Sequence, residues 1–172
     1  LAFCDDDDLV HPDWCRLAYE FLDDFPVVTG GVVVKEDTQL TGKSLAEKLE
    51  MLVAETVPVP PRPAGRGSMG PALMGGNFAA RRDVLLAVGG FDAALVRGGE
   101  DNDLAFRLNR AGVPITDCGA MSIIYSRPSA WRDRVRTRAR AGRSLAEAAS
   151  ARDAWHAVPE LSSAPTTELA RA

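Results

Sequence analysis

Apolar positions follow two periods along this chain. Leu1-Ala2-Phe3-Cys4 is a short apolar run that stops at four consecutive aspartates, Asp5 to Asp8. Pro12-Asp13 then opens a segment in which Trp14, Leu17, Ala18, Phe21 and Leu22 recur at helical spacing. Val27 to Val34 is rich in β-branched residues with Gly30-Gly31 in its middle, which predicts a buried strand carrying a bulge or a close backbone approach. Strand, acidic loop, helix and strand in this order predict an α/β sheet.

Ser44-Leu45-Ala46-Glu47 reads as a capping box, and Leu45, Leu49, Leu52 and Val53 then mark one face of a helix ending near Thr56. Residues 57–71 hold Pro58, Pro60, Pro61, Pro63 and Pro71 with Gly65, Gly67 and Gly70, and predict a long irregular loop of functional rather than decorative kind. Met74 to Ala80 is strand-like, Arg81 to Val88 a short helix, and Gly89-Gly90-Phe91-Asp92 a turn. Glu100-Asp101-Asn102-Asp103 opens a helix with Leu104, Leu108 and Ala111 on one side and a stop at Gly112. Two short strands are expected near Ile115 and over Ile123 to Tyr125, followed by an arginine-rich helix and a further helix over Leu145 to Trp155. The polar tail beyond Pro159 is expected to be disordered.

Composition narrows the function. The 172 residues, 46% hydrophobic, suit one domain with a real core. A net charge of -4 gives no reason to expect nucleic acid as a partner. Cys4, Cys15 and Cys118 are too scattered for a disulfide framework and predict reduced thiols in a cytoplasmic setting. No run reaches the roughly 18 to 20 apolar residues needed to cross a bilayer.

Two acidic clusters carry the candidate chemistry. Carboxylates gathered where a strand ends and a helix begins are oxygen ligands of the kind that hold Mg²⁺ or Mn²⁺; the plainer reading is that they cap a helix. An EF-hand fails on spacing, because a loop counted from Asp5 has Val10 and Arg16 where glycine and glutamate are required. A phosphatase motif on Asp5 and Asp7 lacks the Gly-Thr that would follow. In the second cluster Gly98-Gly99 precedes Glu100 and Asp101, a place where backbone can approach a ligand closely and a carboxylate can accept a proton from a substrate hydroxyl. It too reads alternatively as a capped helix.

Taken together, four pieces in order resemble the GT-A fold glycosyltransferases, most closely family 2. They are Leu1 to Asp8 followed by His11-Pro12-Asp13-Trp14, then Gly75-Gly76-Asn77-Phe78-Ala79-Ala80-Arg81-Arg82, then Gly89-Gly90-Phe91-Asp92, then Gly99-Glu100-Asp101-Asn102-Asp103-Leu104 with Arg107. The resemblance implies a GT-A-like (Rossmann-like) mixed sheet flanked by helices, here a partial domain without the N-terminal nucleotide-binding strands, so that the fragment alone is expected to transfer sugar poorly. It implies that Asp5 and Asp7 form a DxD motif, Asp7 on the metal, Mn²⁺ or Mg²⁺, and Asp5 nearer the ribose or the metal's waters, with Asp6 able to substitute for either. It implies Asp101 as catalytic base, Glu100 as a holder of the acceptor, and Gly75, Gly76 and Asn77 lining the sugar pocket. The implied partners are a nucleotide-sugar donor and a carbohydrate or lipid-linked acceptor, with inversion at the anomeric carbon. The sequence departs from the family at Ser126, where a histidine often reaches the metal. A rival from another class is a non-catalytic carbohydrate- or nucleotide-binding module.

By this reading residues 1–128 are the catalytic domain, 129–158 an arginine-rich helical extension, and 159–172 the tail. Arg132, Arg134, Arg136, Arg138, Arg140 and Arg143 form either a solvated face or a contact with anionic lipid head groups or a lipid-phosphate acceptor, which would put the protein peripherally at the inner face of a membrane. His11 and His156 stand alone and do not suggest metal ligands. Trp14 is expected in the core, and Trp131 and Trp155 either stack on a sugar or pack between helices.

Overall fold

The computed structural model describes residues 1–154; Trp155, His156 and the tail lie outside the described residues. In chain order the elements are β1 (Ala2–Cys4), β2 (Leu9–Val10), α1 (Trp14–Asp24), β3 (Val27–Glu36), α2 (Asp37–Leu40), α3 (Leu45–Glu55), β4 (Arg62–Pro63), β5 (Asn77–Ala80), α4 (Arg82–Ala87), α5 (Glu100–Arg110), β6 (Ile115–Arg127) and α6 (Trp131–Ala151). The strands form one mixed sheet in the order β1-β5-β3-β6-β2, with β4 also paired to β6. Only the β3–β6 pair is parallel; the remaining pairs are antiparallel. The expected α/β architecture of a mixed sheet flanked by helices is what the chain adopts.

Strand alternation decides which helix covers which face. Val27, Phe78, Ala80 and Ile115 point to one side, under Leu85 of α4 and Leu104 and Leu108 of α5. Val28, Ala79, Met121 and Ile123 point to the other, under Trp14 and Ala18 of α1. The capping box of α3 forms as expected, with the Glu47 amide donating to Ser44 Oγ and the Ser44 amide to the Glu47 carboxylate. Its predicted apolar face is only partly used: Leu52 is buried on Val33 and Ile124, while Leu45 and Val53 are exposed. Likewise on α5 Leu104 and Leu108 are buried but Ala111 is exposed.

Two expected breaks do not occur. The strands foreseen near Ile115 and Ile123 are one 13-residue strand, because β3 pairs with both halves of it. The discontinuity is absorbed in a bulge: Gly30 pairs with Cys118 and Val32 with Ile123, so that four residues of β6 face Gly31 alone. Asn77 staples this bulge, its side-chain amide donating to the carbonyls of Gly31 (2.8 Å) and Met121 (3.1 Å) while its Oδ1 accepts the Trp14 indole N–H (2.8 Å). A Cβ on Gly30 would lie 1.9 Å from the Met121 carbonyl oxygen, so only glycine fits there. The two helices foreseen after Pro128 are likewise a single 21-residue helix, α6, which runs through Gly142. One glycine costs roughly 1 kcal/mol against alanine in a helix, and the arginines and alanines around it are good helix formers.

Candidate functional site

The first acidic cluster sits where β1 ends at the sheet edge. Its turn is closed by the Asp8 amide donating to the Asp5 carbonyl, at 3.4 Å. Asp6 and Asp7 occupy the exposed tip of that turn, and Asp5 points back over Gly76. A Cβ on Gly76 would come within 2.4 Å of Asp5 Oδ2, and one on Gly75 within 3.3 Å of the Asp101 Cβ. The two glycines thus form a floor with Asp5 on one side and Asp101 on the other. The cleft over this floor has a volume of about 400 Å³ and is lined by Asp5, Met74, Gly75, Gly76, Phe91, Glu100 and Asp101.

Charge crowding marks the cleft. Partial burial raises the Asp5 carboxyl above its ordinary value, and the charges of Asp7, Asp6 and Asp101 raise it further, which places the two acidic clusters within electrostatic reach. Asp8 is pushed up to about 6, first by burial and then by Asp5 and Asp7. Its Oδ2 is buried without a hydrogen-bond partner among the described residues. Asp101 holds one oxygen on the amide and side chain of Asn102 (2.7 and 2.9 Å) and turns the other toward Gly75.

The loop entering α5 is held from behind. Gly98 and Gly99 both have left-handed backbones, with φ of +104° and +86°. A side chain on Gly99 would meet the Ser144 carbonyl of α6 at 2.6 Å, and Ser144 Oγ donates to the Arg97 carbonyl at 2.7 Å. Two residues beyond Asp101, Asp103 is fully buried and accepts from Arg107 (2.9 and 2.6 Å) and Arg152 (2.5 Å). Burial acts to raise the Asp103 carboxyl, but the bonds from Arg152 and Arg107 outweigh it and hold the group below its ordinary value. Arg152 also reaches Asp92 at 2.6 Å, next to the Phe91 that lines the cleft.

Of the residues singled out in the sequence, Asp5, Gly75, Gly76, Glu100 and Asp101 come together. Asp6 and Asp7 stay outside the cleft lining. Asn77 does not line it either: its side chain is buried and engaged by Trp14 and the bulge. The sequence reading did not assign Asp8, Met74, Phe91, Ser144 or Arg152 to the site. The composition of the acidic run points to Asp8, but nothing local points to Arg152, whose partner lies 49 positions away.

On its sequence the acidic run is expected to hold a divalent ion. Among the described residues no three His, Cys, Asp or Glu side chains converge closely enough to hold one by themselves. Mg²⁺-type ions commonly take only one or two carboxylates and complete their shell with substrate phosphates and water. Asp5, crowded by neighbouring carboxylates on the wall of an open cleft, is compatible with that mode of binding, whereas the partnerless oxygen of Asp8 lies outside the cleft lining.

Residues 1–155 match the family model described as glycosyl transferase family group 2. No curated protein matches the chain.

Proposed function

The chain belongs to glycosyl transferase family group 2, and from that membership, which carries glycosyl transfer from a nucleotide-sugar donor to an acceptor, we propose a metal-dependent, inverting transfer to an acceptor hydroxyl. The observation that carries this reading is that Asp5 and Asp101 face one another across Gly75-Gly76 in a single cleft.

Asp101 is the base: its free oxygen takes the proton as the acceptor oxygen bonds to the anomeric carbon and the bond from that carbon to the diphosphate breaks. Attack opposite the leaving group inverts the configuration. Glu100 lies beside Asp101 on the cleft wall and orients the acceptor. Gly75 and Gly76 let the Asp5 and Asp101 side chains lie close against the backbone, on the floor of the cleft that would take the sugar. Asp5 and Asp7 of the DxD motif would hold Mn²⁺ or Mg²⁺, which when bound neutralises charge on the departing diphosphate.

The test is a panel of nucleotide-sugars offered to the protein with Mn²⁺, Mg²⁺ or a chelator, with transfer and donor hydrolysis followed by chromatography and the anomeric configuration of the product by NMR. Turnover that needs the ion and disappears in Asp101→Asn supports the proposal. Stabilisation by Mn²⁺ and a nucleoside diphosphate with no turnover from any donor would instead favour the rival reading, a non-catalytic binding module.

A further inference from the structure

Helix α6 is chemically divided. Its last turns are packed, with Ser144, Ala148 and Ala149 buried against the loop before α5 and against Phe106 and Met69. Its first three turns are exposed except for Arg134, which is half-buried. Between Arg127 and Arg143 the chain carries seven arginines against one aspartate, although the whole protein is net acidic. Arg127 and Arg134 share Glu36, and Arg136 pairs with Asp133. Among the described residues Arg132, Arg138, Arg140 and Arg143 have no acidic partner.

Apolar groups lie among these charges. Trp131 is 65% exposed and Val135 56%, one helical turn apart. Beside them Val34 of β3, 50% exposed, is in register with Tyr125 of β6. A hollow of about 420 Å³ opens there, lined by Tyr125, Arg127, Trp131, Arg134, Val135 and Arg138. An exposed tryptophan ringed by arginines suits the boundary between head groups and acyl chains, where an amphipathic ring stays half wet and the guanidiniums meet phosphates. A nucleic-acid surface would match the charge but would leave Val34 and Val135 without a partner.

We propose that the cationic first half of α6, with the hollow beside Trp131, docks on a bilayer surface rich in anionic lipid. Because the same continuous helix braces Gly98 and Gly99 at its other end, docking fixes the acidic cleft relative to that surface. An acceptor presented at the lipid interface would then reach Asp101 without leaving it.

The experiment is sedimentation of the protein with vesicles of phosphatidylcholine alone or mixed with phosphatidylglycerol, and it is independent of any transfer assay. Expected is binding to the anionic vesicles only, weakened as salt is raised from about 0.1 M to about 0.5 M, and unaffected by free glycerol phosphate. The exposed quadruple variant R132Q/R138Q/R140Q/R143Q, with wild-type melting temperature, should bind on the order of a hundredfold more weakly. Tryptophan emission should shift to the blue on the anionic vesicles, and not in Trp131→Ser. Equal binding to neutral vesicles, no binding to anionic ones, unchanged binding by the quadruple variant, or tighter capture by a nucleic-acid duplex would each overturn the proposal.

Discussion

Asp101 and Asp103 stand two positions apart on one helix, yet they live in opposite settings. Asp101 is half-buried in a cleft it shares with the Asp5 carboxylate, and among the described residues its hydrogen-bond partners are the amide and side chain of Asn102. Asp103 is sealed from water between two guanidiniums. The first arrangement leaves Asp101 without a basic partner among the described residues. The second has its counter-charges built in and serves only to join α5, the turn at Asp92 and the end of α6. A carboxylate in an acidic motif is therefore assigned to chemistry or to architecture by its neighbours in space, not by the motif.

Neutralising the two residues should separate these roles. Asp101→Asn should lower turnover by about 10² to 10⁴-fold at an unchanged melting temperature; a matching loss of stability would show that Asp101 too is architectural. Asp103→Ala should cost about 3 kcal/mol in urea unfolding, because it leaves two guanidiniums facing a low-dielectric space without their partner. Arg152→Met should cost less, since Arg107 remains on Asp103. A smaller effect is expected of Gly76→Ala. The atoms nearest the added methyl are those of the Asp5 carboxylate, so the fold should persist while Mn²⁺-dependent binding of a nucleoside diphosphate, read by calorimetry, weakens on the order of tenfold.

A further effect is one of pH. Asp8 has a folded-state value of about 6 against 3.8 for the free side chain, so the native protein binds its proton more tightly than the unfolded chain does. Its contribution to stability is present at low pH and is lost as pH rises from about 4 to about 6. Asp103, depressed by its arginines, works in the opposite sense, contributing above its unfolded value and losing that contribution as pH falls through its folded one. Metal-free Asp8→Asn should therefore be more stable than the wild type above pH 6, with the gap closing below about pH 4. A constant gap across that range would show that the crowding at Asp8 is absent.

Features encoded locally were legible in the sequence. The capping box at Ser44, the bulge at Gly30-Gly31, the glycine stop of α5 and the acidic clusters all follow from adjacent residues. What escaped depends on distant partners. Two short strands and two helices were expected where the chain has one of each, because β3 holds both halves of β6 in register, and α6 continues because its far end finds a seat on α5. Leu9 and Val10 gave no strand signal alone and become one only against Ile123 and Ile124. Asn77 has the same polar side chain whether it faces a ligand or two backbone carbonyls, and only the bulge settles which.

The brace on Gly98 and Gly99 sets an order of assembly. The loop bearing Glu100 and Asp101 takes its left-handed shape against Ser144, and Asp103 waits for an arginine 49 positions downstream. On the ribosome, where chain emerges at roughly 5 to 20 residues per second, the sheet edge and its aspartates are in place before that loop has anything to lean on. The acidic loop can therefore reach its final shape only after α6 has been made, so the two sides of the cleft are completed at different times.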